Sequence, residues 1–145
     1  MPRLTLDAAR VIARETLSEG QTRGARPLAV VVLDAGAWPL VLERHEDASL
    51  FRGDIASGKA AATLGMGQGG RTLAARAKAA PAFFQSLPSV TGGRFVPAAG
   101  GVLIRDDSGE IIGAVGVSGD TPDVDEACAL AGVAAAGLTA DPGQD

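Results

Sequence analysis

Near the start of the chain, apolar residues return every three or four positions. Leu6, Ala9, Ile12, Ala13 and Leu17 form one stripe, while Asp7, Arg10, Arg14, Ser18 and Gln21 fall opposite it. That period predicts an amphipathic helix from about Leu6 to Gly20. Thr5 stands where a capping hydroxyl is needed, and Gly24 and Pro27 end the run. The pattern then changes. Leu28 to Asp34 is an almost unbroken apolar stretch rich in valine, which predicts a central strand covered on both faces. After a turn at Ala35-Gly36-Ala37, Trp38 to Arg44 reads as the returning strand of a hairpin. Pro39 cannot donate to a ladder, which places that strand at an edge.

A second helical pattern runs from Phe51 to about Met66, with Ile55, Ala56, Ala60, Thr63 and Leu64 on its apolar side. Glycines at 65, 67, 69 and 70 stop it. Thr72 to Lys78 predicts a short helix, and Pro81 suits the first turn of another that reaches Leu87. Beyond Pro88 and Gly92-Gly93, Arg94-Phe95-Val96 and Gly101 to Arg105 read as strands. Asp106-Asp107-Ser108-Gly109 reads as a tight turn, and Glu110 to Ser118 as the last strand. The glycines of that last strand allow a helix backbone to approach closely. Thr121 and Pro122 open a final helix, with Asp123, Asp125 and Glu126 at the positive end of its dipole. Its apolar stripe is Val124, Ala127, Cys128, Ala131, Ala135 and Leu138, and Thr139 to Asp145 reads as a frayed tail.

These elements do not alternate as they would in a doubly wound fold. They predict one α+β domain over residues 1–138, with a five-stranded antiparallel sheet flanked by N-terminal, C-terminal and inserted middle helices. The 145 residues suffice for one sizeable core. Aromatics are only 3% of the chain, so that core must be built from small aliphatic side chains packed at short range.

The net charge of −4 and the lack of a basic run speak against nucleic acid and anionic membrane surfaces as partners. No stretch has the apolar length of a bilayer span. The first residues lead straight into a helix without a leader-like apolar segment, and a single Cys128 cannot form an internal disulfide. A cytoplasmic location is the expectation.

Candidate chemistry is sparse. Gly65, Gly67 and Gly70 match a dinucleotide fingerprint in letters, but they leave a helix rather than a strand, so they read as a helix stop. Ser118 lacks the spacing of a nucleophile elbow and reads as a turn residue. His45, the only histidine, is either an exposed loop residue or a single axial ligand to a haem iron. Lys59, in the apolar part of the second helix, and Arg94, beside Phe95, are cations able to hold a carboxylate. Asp54 and Asp120 are the acids considered for catalysis, a role that requires a shifted pKa in a cleft.

Taken in order, several short pieces resemble a known family. They are Val32-Leu33-Asp34-Ala35-Gly36 with Leu42-Glu43-Arg44, then Asp54-Ile55-Ala56 with Lys59-Ala60. Arg94-Phe95-Val96-Pro97 with Gly100-Gly101 follows, and Ile112 to Gly119 with Asp125-Glu126 completes the set. Together they resemble the haem-degrading, haem-binding GlcG/HbpS family, also found as the C-terminal domain of some corrinoid adenosyltransferases. The chain departs from the family pattern at Leu103, where proline is usual, and at Ala62, where threonine is usual. The resemblance implies a profilin-like fold, a homo-oligomer and a haem or other tetrapyrrole ligand. On that reading Phe51, Phe83, Phe84 and Phe95 line an apolar slot, His45 is the nitrogen ligand, and Arg94 or Lys59 meets the propionates. The alternative is a small-molecule enzyme or accessory protein that binds a carboxylate through Lys59 and Arg94, with Asp54 or Asp120 as its acid.

Overall fold

The computed structural model of the chain describes residues 3–145; Met1 and Pro2 lie outside the described residues. The valine-rich run becomes β1 (Ala29–Asp34), and its partner is β2 (Pro39–Arg44). β3 (Gly101–Arg105), β4 (Ile111–Ser118) and β5 (Thr139–Asp141) complete a five-stranded sheet in the order β2-β1-β4-β3-β5. Every pairing is antiparallel. β2 is an edge strand, as its proline predicts, and β1 is buried on both faces.

Alternation along the strands sorts side chains into two layers. Val30, Val32, Val102, Ile104, Val115 and Val117 face a core shared with α1 (Leu6–Thr22) and α5 (Pro122–Ala135). Val31, Leu33, Leu103 and Ala114 face α2 (Arg52–Met66) through Ala56 and Ala60. A smaller cluster of Ala62, Leu73, Phe84 and Phe95 joins α2 to α3 (Gly70–Ala79) and α4 (Pro81–Val90). Close approach depends on missing side chains. A Cβ on Gly116 of β4 would land on the Ala56 carbonyl of α2, and one on Gly132 of α5 would meet Thr16 and the Ile12 carbonyl of α1.

The caps follow the sequence. Thr5 Oγ1 accepts the Ala8 N–H at 3.1 Å, and Thr121 Oγ1 accepts the Val124 N–H at 3.3 Å. Gly67, at φ +67°, ends α2; Gly65 lies inside that helix and Gly70 opens α3, so of the three glycines only Gly67 is the helix stop. Asp106 Oδ1 accepts the N–H groups of Ser108 and Glu110, which builds the β3–β4 turn.

Three expectations need correction. Arg94-Phe95-Val96 is not a strand. Gly92 and Gly93 take positive φ, Pro97 has no donor, and the Val96 N–H bonds the Gly58 carbonyl of α2 at 3.2 Å rather than a neighbouring strand. The fifth strand comes instead from the tail expected to fray. Leu103, Ile104 and Arg105 pair with Asp141, Ala140 and Thr139, which satisfies an edge of β3 that would otherwise stand unpaired. Arg105 Nη2 lies 2.9 Å from Asp141, and Thr72 Oγ1 bonds both the N–H and the carbonyl of Gln144. The stripe of α5 is also rotated from the one expected: its buried residues are Asp125, Cys128, Ala129, Gly132 and Val133.

Candidate functional site

The residues singled out from sequence fall in three places. Lys59 occupies the first. It sits on the sheet-facing side of α2, 4% exposed, among Ala56, Ala60 and Thr63. Its ammonium donates to the Val117 carbonyl at 2.9 Å and to Asp125 Oδ2 at 3.1 Å. The other carboxylate oxygen of Asp125 accepts the Asp120 N–H at 3.0 Å. Gly100, at φ +107°, leaves room for this arrangement, since a Cβ there would press on the Lys59 Nζ and the Val117 carbonyl. Burial pulls the Lys59 pKa below its ordinary value, Asp125 opposes that shift, and Arg52 adds to it. Lys59 does hold a carboxylate, but it is one supplied by α5 of the same chain.

Asp120 borders this group. Its side chain accepts the backbone N–H of Arg26 at 2.8 Å and of Thr121 at 2.7 Å. Those bonds, that from Arg26 first, hold its carboxyl below the usual range. A proton-transfer acid working near neutrality needs the opposite shift. Asp54 is exposed in the first turn of α2.

The second place is the His45 loop. The His45 N–H bonds the Leu28 carbonyl at 3.0 Å, and Arg44 Nη1 donates to the carbonyls of His45, Glu46 and Ala48. Arginine therefore staples the loop that presents the imidazole. His45 Nδ1 accepts the Asp47 N–H at 3.0 Å, and Glu46 Oε1 lies 3.8 Å from the same nitrogen. His45 is among the residues that line a cleft of about 520 Å³, together with Leu17, Ala25, Pro27 and Leu28, the cation Arg26 and the acids Glu43 and Glu46. That volume lies inside the roughly 300–1,000 Å³ range of small-molecule and cofactor sites. Leu17, Ala25 and Pro27 carried no site expectation; what the sequence offers is their place where helix, loop and strand meet.

The third place gathers Arg94 and Phe95. Phe95 packs in the small cluster, its ring 5.9 Å from that of Phe84. Arg94 is exposed, and its Nη2 donates to the Ala37 carbonyl at 2.9 Å. Phe83 is 53% exposed against Phe84, while Phe51 is 63% exposed at the opposite end of α2. The four phenylalanines thus do not line one slot, and none of them lines the His45 cleft. Lys59 and Arg94 do not share a site either.

A model of the haem-degrading HbpS-like proteins matches residues 4–134. The chain belongs to this family. Among solved structures, a PduOC–haem complex is 25% identical over 95% of this chain and 98% of its own, with a TM-score of 0.85. HbpS is 28% identical over 92% of this chain and 90% of its own, at 0.80. A Klebsiella pneumoniae protein, ORFY, shares the fold at 24% identity over 94% and 93% of the two chains, at 0.83. No curated protein matches the chain.

Proposed function

We propose that this HbpS-like chain binds a tetrapyrrole, haem in the first instance, in the cleft where α1, β1 and the His45 loop meet. The observation that carries this reading is one cavity that combines apolar walls, an imidazole and a cation. Leu17, Ala25, Pro27 and Leu28 suit the faces of a flat macrocycle, and Arg26, whose Nε lies 3.7 Å from Asp120 but which keeps two-thirds of its side chain in solvent, suits a propionate. Among the described residues His45 is the only imidazole. The resemblance to the PduOC–haem complex over nearly the whole length of both chains supports the same reading.

The donor set fits, with one rearrangement. With Nδ1 accepting from Asp47, the neutral ring carries its proton on Nε2, where a metal ligand needs a lone pair. A haem held through Nε2 would need that proton on Nδ1 instead, at the expense of the Asp47 bond. Glu46, its Oε1 3.8 Å from Nδ1, would be the carboxylate near enough to move in and accept the Nδ1–H, the pairing that orients ligating histidines. When bound, haem supplies iron-centred ligand and redox chemistry. The chain supplies the apolar walls, the imidazole and the guanidinium of Arg26.

Haem titration followed at the Soret band tests this. The wild-type chain should give a saturable, shifted band, and His45→Ala should weaken binding at least tenfold. A spectrum that stays that of free haem would overturn the proposal, and an unchanged affinity in His45→Ala would remove His45 from it. We extend the reading to a homo-oligomer. Trp38, Leu42, Leu50 and Phe51 expose apolar side chains on and around the β2 edge, and light scattering of the purified chain measures its mass directly.

A further inference from the structure

The cavity beside Arg94 shares no lining residue with the His45 cleft. It measures about 240 Å³, below the roughly 300–1,000 Å³ expected of a cofactor-sized site. That size suits a ligand of a few heavy atoms better than a tetrapyrrole. Its walls are mostly apolar, from Met66, Leu87, Phe95 and Ala61, with Thr91 as a polar neighbour of Arg94 in the lining, and methionine adapts readily to the shape of what it covers.

Two features of this cavity bear on what it could hold. Gly65 lies on its wall within α2, with no positive φ, and a Cβ there would meet no atom within 4 Å. Neither backbone conformation nor packing asks for glycine at that position, where alanine would favour the helix. What the missing side chain leaves is open space beside the apolar wall. Arg94 is the second feature. Like Arg10, Arg44, Arg52 and Arg76, Arg94 forms no ion pair among the described residues, and of these it is the one that lines this cavity. Its single hydrogen bond goes to Ala37, a non-glycine residue at φ +65°, in the left-handed region. A strained carbonyl thus anchors one end of the guanidinium and leaves the rest of its donor fork free.

We propose that this cavity binds a short aliphatic monocarboxylate, with its alkyl chain among Met66, Leu87 and Phe95 and its carboxylate on Arg94. The apolar walls select against a bare inorganic anion. The arginine selects against the corresponding alcohol or amide, because a carboxylate matches the planar fork while a neutral group does not.

The chain has two methionines, Met1 and Met66, so methyl-labelled methionine gives a local probe of the cavity. Sodium pentanoate should shift the Met66 methyl resonance saturably, while pentanamide and inorganic phosphate should not. Arg94→Gln should weaken pentanoate at least tenfold. Gly65→Leu, which fills the open space from an exposed helix position, should abolish the shift while circular dichroism and melting temperature confirm the fold. A Met66 resonance that does not saturate with pentanoate would overturn the proposal. So would wild-type affinity in Arg94→Gln, or an equal response to phosphate. Neither variant should alter haem titration, so the two sites stand or fall separately.

Discussion

Asp125 and Lys59 show how much one buried pair constrains. Each side chain is 5% exposed or less, and each would be a stranded charge without the other. Removing one partner of such a pair costs about 3–5 kcal/mol, whereas replacing both with apolar groups of similar volume is often close to neutral. Asp125→Ala should therefore destabilise the protein strongly in urea unfolding, and the double variant Lys59→Met with Asp125→Leu should recover most of the loss. Equal losses in the single and double variants would show that the pair's wider bonding, to Val117 and Asp120, matters more than its charge. Cys128 makes a second case. Desolvation pushes its thiol up to about 11, so it stays protonated near neutrality. Iodoacetamide at pH 8 should label it only after unfolding, and rapid labelling of the native protein would contradict its burial.

At the scale of elements, the sheet is completed by a strand of three residues. β5 covers the free edge of β3, and Arg71, which contacts Glu126, Asp123 and Asp145, pins the chain end to the start of α3. Ending the chain after Leu138 should cost about 1–3 kcal/mol, or a melting temperature lower by roughly 5–10 °C, and should promote association through the exposed edge. Differential scanning calorimetry with light scattering reads both. Two loop acids contribute to the behaviour at low pH. Asp106 is held below its ordinary pKa chiefly by Ser108, and Asp120 by the Arg26 N–H. Above about pH 4 the folded chain keeps the full benefit of both ionised groups. As pH falls, the unfolded chain takes up protons first, so this benefit is lost. Asp106→Asn with Asp120→Asn should lower stability at pH 7, and the gap from wild type should narrow as pH falls below about 4; a gap that stays constant would deny the linkage.

For the whole molecule, the sheet separates the two proposed sites. The His45 cleft belongs to the side and end where α1 meets the β1–β2 hairpin, and the Arg94 cavity to the side covered by α2 and α4. Neither uses Lys59, the residue that joins the two sides through Asp125. Loading one site should therefore leave affinity at the other unchanged, which sequential titration with haem and pentanoate can measure; a coupling above about fivefold would point to a conformational link.

Local pattern determined most of the fold. The period of Leu6 to Leu17, the valine run, the caps at Thr5 and Thr121 and the turns at Gly36 and Gly109 each encode their element in neighbouring residues, because helix, strand and turn are decided by short-range geometry. Lys59, His45 and Arg94 stood out by type in the same way. What sequence left open needed contact between distant segments. That Thr139–Asp141 pairs with β3, while Arg94-Phe95-Val96 docks on α2, depends on which unpaired backbone groups lie within reach once the core has closed. That Lys59 faces Asp125, that Leu17 and Pro27 stand beside His45, and that Met66 and Gly65 open onto Arg94 are products of packing. Side chains tens of residues apart become neighbours only when helices settle against the sheet, and no local period records that encounter.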